Sequence, residues 1–238
     1  MPVTDVRFTS STGRPMRAAL ALPRVPGRRP AVIVIHEIFG LNDDVRRIAG
    51  RVADLGYVAL APDLFDTEAP RALCVFRTFL ALRRRQGRAF ADLDAARAWL
   101  GARPDVDPER VAAVGFCLGG GFALFYGLKA PLRATGVFYG ETPATADELR
   151  GVCPVVGGYG GRDRIYAPQG ARLVRHLEAL GVPHDVRTYP DAGHGYMSPH
   201  TGLAATLGAW GPMAVGFDPA AEADSWARLA AFFRRHLG

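Results

Sequence analysis

The stretch Val111-Ala-Ala-Val-Gly-Phe-Cys-Leu-Gly-Gly-Gly121 decides the fold of this chain. Its first four residues are apolar, which is typical of a buried strand, and the residues that follow it, Phe-Ala-Leu-Phe-Tyr, begin a helix. A strand, a sharp glycine-flanked turn and a helix form the context of the G-x-S-x-G nucleophile elbow, here with cysteine in place of serine. We therefore predict that Cys117 is a nucleophile at the carboxyl end of a strand.

The residues around Cys117 support this prediction. Gly115 and Gly119 leave space for the turn to close. The helix that follows points its positive dipole end at the sulfur, so we expect a lowered thiol pKa and an adjacent oxyanion site. Two alternatives are a buried cysteine in a packing turn and a phosphate-binding loop. The second lacks the Lys-Ser/Thr pair and the G-x-G-x-x-G spacing of such loops.

Strand-like and helix-like segments alternate on both sides of this turn. They indicate βαβ units, a mostly parallel sheet in one α/β domain over 1–238, and active groups at the carboxyl ends of the strands. The segment 198–217, which is rich in Gly, Ala and Pro, predicts an excursion before the last helix. Strands are predicted at 3–9, 16–22, 31–35, 57–61, 111–114, 134–139, 152–156 and 185–189, and helices at 42–55, 71–85, 89–100, 118–129, 169–180 and 220–236.

Two residues downstream of Cys117 are candidate partners for it, in the order acid and then histidine. Asp163 follows a predicted strand and precedes a helix, and His194 follows the last strand on a glycine-flanked turn. Together with Cys117 they fit acyl transfer, in which the thiol attacks, the histidine moves the proton and the aspartate orients the imidazole. The alternatives are a turn-capping aspartate and an exposed loop histidine. The weaker histidine candidates are His36, His176, His184, His200 and His236.

Glu37 lies just after the strand 31–35, where an oxyanion loop is expected. A carboxylate aimed across the strand tips toward Cys117 is costly unless it is paired or functional, and a salt bridge to an arginine is the alternative. His36-Glu37 does not continue as H-E-x-x-H, so we predict no zinc site. The aromatic residues near the strand tips could line a substrate pocket or pack in the core; these are Phe39, Phe116, Tyr139 and Tyr196.

Composition limits the classes of function. Lys+Arg number 29 against 23 Asp+Glu, a formal net charge of +6, but the dense cluster at 83–88 has no interleaved aromatic residues, so we do not expect nucleic-acid binding. With only three cysteines we expect no disulfide framework and no metal, and Cys74 and Cys153 are predicted to be small core residues. No signal peptide or membrane span is apparent, so we expect a cytoplasmic protein.

Five motifs together resemble the dienelactone hydrolase family of α/β-hydrolases. They are His36-Glu-Ile-Phe-Gly-Leu-Asn42, Ala61-Pro-Asp-Leu-Phe65, Gly115-Phe-Cys-Leu-Gly-Gly120, Gly160-Gly-Arg-Asp163 and Asp191-Ala-Gly-His194. The resemblance covers roughly residues 5–237. It implies the α/β-hydrolase fold, with a mostly parallel central sheet of about seven to eight strands flanked by helices.

The resemblance also implies a reaction. Cys117, Asp163 and His194 would be catalytic, Glu37 would deprotonate the thiol when substrate binds, and the oxyanion donors would be the amides of Ile38 and Leu118. We expect a cysteine hydrolase of a small ester or lactone, acting through a thioester without cofactor or metal, as a monomer or small homo-oligomer. A non-catalytic or redox-sensing relative is the alternative.

The sequence departs from the family in the arginines that hold a substrate carboxylate. The position shortly after the catalytic histidine lies near Ser198-Pro199, which is not basic. The other region supplies Arg71, Arg77 and Arg83, of which we take Arg77 as the candidate. Dienelactone itself is therefore not predicted as the substrate.

Overall fold

The computed structural model describes residues 1–66, 69–199 and 208–238. Its strands are β1 (Val3–Thr9), β2 (Pro15–Ala21), β3 (Arg29–Ile35), β4 (Val58–Pro62), β5 (Val106–Phe116), β6 (Ala134–Phe138), β7 (Val155–Gly160) and β8 (His184–Tyr189). They form one eight-stranded sheet in the order β1-β2-β4-β3-β5-β6-β7-β8. β1 and β2 pair antiparallel, as do β2 and β4, and all other neighbours are parallel. The predicted α/β sheet of seven to eight mostly parallel strands is confirmed.

Helices cover both faces of the sheet. They are α1 (Asp43–Asp54), α2 (Arg71–Arg84), α3 (Arg88–Gly101), α4 (Leu118–Lys129), α5 (Ala167–Ala179) and α6 (Pro219–Leu237). Val32 and Val34 of β3 pack in one core cluster with α1 and α6, whereas Ile33 and Ile35 pack in a second with α3 and α4. Because successive side chains of a strand point to opposite faces, burial on both faces explains the unbroken apolar run of β3.

Local sequence signals explain where the elements begin and end. Asn42 caps α1, and its side chain accepts a hydrogen bond from the Val45 amide at 3.0 Å, while Gly56 follows the helix with φ 99°. The predicted start of β7 at residue 152 is wrong. The strand begins at Val155 because Pro154 has no amide hydrogen to give to the ladder. Cys153 therefore precedes the strand instead of lying inside it.

None of the helices in the described ranges combines the length and the apolar character that crossing a bilayer requires.

Candidate active site

The turn between β5 and α4 holds Cys117 in a strained backbone conformation. Cys117 has φ 53° and ψ −117°, a region that side-chain-bearing residues rarely adopt. A Cβ atom on Gly115 would lie 1.9 Å from the Gly119 carbonyl oxygen, and one on Gly119 would lie 2.2 Å from the Ile35 carbonyl oxygen. Both positions therefore require glycine, and the first turn of α4 lies directly against the carboxyl end of β3.

The Cys117 thiol is protonated in the resting structure. Burial raises its pKa above the ordinary value, the nearby Glu37 charge raises it further, and a hydrogen bond donated by the Leu118 amide lowers it by less. The lowered thiol pKa expected from the sequence is therefore wrong for the resting state. Burial of the sulfur raises the pKa by more than the positive dipole end of α4 lowers it.

Glu37 is buried two residues beyond the end of β3. Burial, together with the charge of Asp44, raises the pKa of its carboxyl group to about 8, so the group is mostly neutral near pH 7. Glu37 and Cys117 influence each other electrostatically, and keeping both neutral avoids two adjacent buried charges.

His36 has a structural place beside this loop. Its Nε2 accepts a hydrogen bond from the Leu64 amide at 3.0 Å, so Nδ1 carries the hydrogen and donates it to the Glu37 carbonyl oxygen at 2.6 Å. Burial lowers the pKa of His36, in agreement with this neutral tautomer. The two hydrogen bonds fix the backbone from which the Glu37 side chain projects.

Asp163 and His194 form a direct pair. His194 Nδ1 lies 2.7 Å from Asp163 Oδ2, and Asp163 Oδ1 accepts hydrogen bonds from the amides of Ile165 at 2.9 Å and Tyr166 at 3.0 Å. Asp163 thus caps its own turn and holds the imidazole at once. Because Nδ1 is directed at a carboxylate, Nε2 is the nitrogen left to exchange a proton with a reacting group.

Aromatic rings surround the His194 imidazole. The ring of Tyr139 lies 5.0 Å from it and the ring of Tyr166 lies 4.8 Å from it, measured between centroids. Tyr139 follows β6 with φ 42°, a second strained residue at the strand tips. Sequence reasoning missed Tyr166, although its position three residues after Asp163 was the available signal.

The four aromatic candidates for the pocket wall divide into two groups. Phe116, Tyr139 and Tyr196 are fully buried, and the Tyr196 hydroxyl lies 2.8 Å from the Ser225 hydroxyl on α6, so Tyr196 belongs to the core. Phe116 packs at 5.4 Å against Phe138 and is also a core residue. Phe39 is 43% exposed and is the member of the set that a substrate could reach.

His194 Nε2 is a buried polar atom with no hydrogen-bond partner within the described ranges. The Tyr139 hydroxyl, by contrast, interacts with the Glu37 carboxyl group and with the Ser198 side chain. A buried polar atom left unsatisfied costs about 1–3 kcal/mol, which fits a nitrogen that is free to pair with a reacting group. Ser198 was not predicted as a site residue, although it lies only four positions after His194.

The three arginines of α2 that the sequence offers as a single substrate-binding cation lie in different surroundings. Arg77 is exposed and lines a cavity of about 250 Å³ with Cys74 and Arg84, which contains no candidate catalytic residue. Arg83 forms an ion pair with Glu141 at 3.3 Å. Arg71 instead donates a hydrogen bond to the Phe39 carbonyl oxygen, which places its charge beside the loop that carries Glu37.

The two predicted oxyanion amides flank the elbow. The Leu118 amide begins α4 and contacts the Cys117 sulfur. The Ile38 amide donates no hydrogen bond to a backbone carbonyl of the described residues, and its side chain is 43% exposed. The close approach of Gly119 to Ile35 brings these two segments together.

The segment before α6 holds the loops of Asp163 and His194 in place. The His194 amide donates to the Met213 carbonyl at 2.9 Å, the Gly216 amide donates to the His194 carbonyl at 3.1 Å, and the Arg164 amide donates to the Pro212 carbonyl at 2.9 Å. Residues 200–207 of the predicted excursion at 198–217 lie outside the described residues, and with them the weaker candidate His200.

Within the described ranges, no group of three or more histidine, cysteine, aspartate or glutamate side chains is arranged so that it could hold a metal ion. None of the three cysteines is in a disulfide bond, and Cys74 and Cys153 pack as buried and half-buried residues.

Comparison with known protein families decides the relationship. The model of the dienelactone hydrolase family matches residues 16–237. The chain belongs to the dienelactone hydrolase family. Its similarity extends to a proposed carboxymethylenebutenolidase of Salmonella typhimurium, 30% identical over 96% of this chain and 86% of the relative. A proposed carboxymethylenebutenolidase of Synechocystis sp. is also 30% identical, over 92% of this chain and 91% of the relative.

A solved structure is similar to this chain over its whole length. It is a dienelactone hydrolase-like promiscuous phosphotriesterase from metagenomic libraries, with a TM-score of 0.84 and 29% identity over 100% of this chain and 99% of that chain. The α/β-hydrolase fold expected from the sequence is confirmed, and the chain is a hydrolase of this fold.

Proposed function

We propose that this member of the dienelactone hydrolase family is a cysteine-nucleophile hydrolase of a small ester or lactone, acting through a thioester acyl-enzyme. The observation that carries the proposal is the strained Cys117 at the head of α4, with the Asp163–His194 pair at 2.7 Å and His194 Nε2 still unpartnered in the described structure. A residue in a rarely populated backbone region, at a strand tip, is typical of a catalytic nucleophile.

The first step in this proposal is the activation of the thiol. The resting thiol and the resting Glu37 carboxyl are both mostly neutral near pH 7, because each is buried. Ionised Glu37 and His194 share the removal of the thiol proton, which reaches His194 Nε2 directly or by way of Glu37 and is held there for the leaving group. A protonated resting thiol would also be protected from oxidation until the substrate is bound.

The second step is attack on the carbonyl carbon. The Cys117 sulfur forms a bond to that carbon, and the carbonyl oxygen becomes an oxyanion that accepts hydrogen bonds from the amides of Ile38 and Leu118. Loss of one such donor lowers kcat by about 10²–10³-fold in related chemistry. His194 then gives its proton to the departing alkoxide, and the thioester remains.

The third step is hydrolysis of the thioester. His194 Nε2 takes a proton from water as the water oxygen bonds to the same carbon, the C–S bond then breaks, and the imidazolium returns the proton to the departing thiolate. The products are a carboxylic acid and the free Cys117 thiol. Asp163 keeps Nδ1 protonated and stabilises the imidazolium that forms in both directions.

The substrate in this proposal is a small molecule and not a nucleic acid or a membrane. Exposed Phe39 offers an apolar contact, and Arg71 offers one cation beside the oxyanion loop. One cation favours a substrate with a single carboxylate over one that needs a two-arginine clamp. We place the enzyme in the cytoplasm, where a nucleophilic thiol stays reduced.

The position of Cys153 argues against this residue as the resolving cysteine of the redox-sensing alternative. Its amide donates to the Gly127 carbonyl at 3.1 Å, and Gly127 lies ten residues along α4 from Cys117. At about 1.5 Å of rise per residue, this is about 15 Å, well beyond the Cα separation of about 4–7 Å that a disulfide allows.

Two measurements test the proposal. The Cys117→Ala variant should lose turnover of p-nitrophenyl acetate and of an enol-lactone by at least about 10³-fold, whereas the matched Cys153→Ala variant should keep it. Intact-protein mass spectrometry during turnover should show one acyl group on the peptide that contains Cys117. The panel should include a phosphotriester, because the solved relative is described as a promiscuous phosphotriesterase. Equal turnover by wild type and Cys117→Ala would overturn the assignment.

A further inference from the structure

A second cleft lies beside the loops that carry Asp163 and His194. Its volume is about 590 Å³, within the range of small-molecule sites, and Arg162, Arg164 and Trp210 line it together with backbone from Gly161 and Gly211. None of these residues is a candidate catalytic residue. The Trp210 side chain is 90% exposed, although a tryptophan normally buries most of its large apolar surface.

The two arginines of the cleft have no acidic partner within the described ranges. Asp163, which lies between them in sequence, is completely buried and bound to His194. Both arginines are exposed, so their positive charges remain available to an anion. The other two tryptophans of the chain differ from Trp210, because Arg103 stacks on Trp99 at 5.0 Å and Arg51 stacks on Trp226 at 4.6 Å.

We propose that this cleft is a binding site for a planar aromatic anion, that is, an aromatic ring that carries a carboxylate or phosphate group. The open face of the Trp210 indole can stack on the ring of the ligand, and the two guanidinium groups can hold the anionic group in a forked arrangement. Neither the indole alone nor the pair of guanidinium groups alone would be selective. The combination distinguishes an aromatic anion from a neutral aromatic molecule and from an aliphatic anion.

The cleft is physically connected to the catalytic pair. The Arg162 amide donates to the Ala192 carbonyl at 2.9 Å, the Arg164 amide donates to the Pro212 carbonyl at 2.9 Å, and the His194 amide donates to the Met213 carbonyl at 2.9 Å. Its walls are therefore the segments next to Asp163 and His194, which gives a bound anion a short route by which to act on the position of the imidazole.

The test uses 19F NMR of the full-length protein labelled with 5-fluorotryptophan, with the Trp210 resonance assigned from the Trp210→Phe variant. The probes are 2-naphthoate and phenyl phosphate as aromatic anions, 2-naphthalenemethanol as a neutral aromatic molecule and cyclohexanecarboxylate as an aliphatic anion. We expect the two aromatic anions to shift the Trp210 resonance saturably, with the resonances of Trp99 and Trp226 unchanged. The other two probes should bind at least about tenfold more weakly.

The charge contribution is tested with matched variants. Loss of both guanidinium groups in Arg162→Gln/Arg164→Gln should weaken binding of 2-naphthoate by at least about tenfold. The control Arg24→Gln/Arg175→Gln removes the same charge from two other exposed positions and should keep wild-type affinity. A Trp210 resonance that moves equally with all four probes, or with protein concentration alone, would overturn the proposal, and the second result would indicate self-association through Trp210.

Discussion

Replacement of Glu37 with glutamine should stabilise the fold while it impairs catalysis. Burial and the charge of Asp44 raise the Glu37 pKa from 4.5 to about 8 in the folded protein. Below about pH 4.5 the carboxyl is protonated in the folded and unfolded states alike. Between these two values the unfolded chain releases this proton and the folded protein keeps it, so the free energy of unfolding falls as the pH rises.

The size of this effect follows from the rise of the pKa. Each pH unit in this range lowers the free energy of unfolding by about 1.4 kcal/mol. The whole rise of the Glu37 pKa corresponds to a loss of at most about 5 kcal/mol above about pH 8. Between about pH 5 and about pH 7.5, wild type should therefore lose about 3 kcal/mol of stability relative to Glu37→Gln, which does not titrate.

Urea unfolding of wild type and Glu37→Gln at these two pH values measures the difference. The control Glu178→Gln, at an exposed position on α5, should follow wild type. The kcat/KM of wild type for a short-chain ester should rise as Glu37 ionises toward pH 8, and Glu37→Gln should lack this rise. Parallel stability curves for wild type and Glu37→Gln would refute the reasoning that Glu37 is held neutral by burial.

Three further predictions concern the elbow, the pair and the arginines. Gly119→Ala should destabilise the fold by about 3 kcal/mol or more in urea unfolding, because its Cβ would lie 2.2 Å from a carbonyl oxygen. The control Gly216→Ala should unfold like wild type, because a Cβ at this position would have no atom within 4 Å. Asp163→Asn should keep the circular dichroism spectrum of wild type and lower kcat by about 10⁴-fold, because the asparagine no longer selects the imidazole tautomer with the hydrogen on Nδ1. A near-normal kcat would contradict the role of Asp163 in orienting His194. Arg71→Gln should raise KM about tenfold for a carboxylate-bearing ester but not for a neutral one, and equal effects of Arg77→Gln would show that the wrong arginine has been chosen.

Local sequence patterns predict most of the fold. The apolar runs separated by helical segments predict the parallel sheet, and the glycines around Cys117 predict the elbow, because both depend on neighbours in sequence. The sequence pattern places the start of β7 too early, because the apolar run extends back through Cys153. Pro154 has no amide hydrogen to donate to the ladder, and the strand begins after it. The dienelactone hydrolase family is recognisable from the order of five short motifs, which the family match confirms.

The electrostatic state of the site could not be deduced in this way. The helix dipole predicted a lowered pKa for Cys117, but burial and Glu37 raise it, and burial depends on packing contributed by distant segments. The same applies to Arg71 and Arg77, which lie six residues apart on one helix. Arg71 contacts the loop that carries Glu37, whereas Arg77 lines a separate cavity.

The sequence by itself therefore determined the chemical groups: a thiol on a glycine-flanked turn, an acid and a histidine in order, and a glutamate after β3. Only the tertiary structure decided their protonation and their surroundings, including the neutral thiol and the buried His194 Nε2 without a partner in the described ranges. It also placed Trp210 in one cleft with Arg162 and Arg164. The reason is physical: residue type and local geometry are encoded nearby along the chain, whereas solvation and charge depend on segments that meet only when the sheet is assembled.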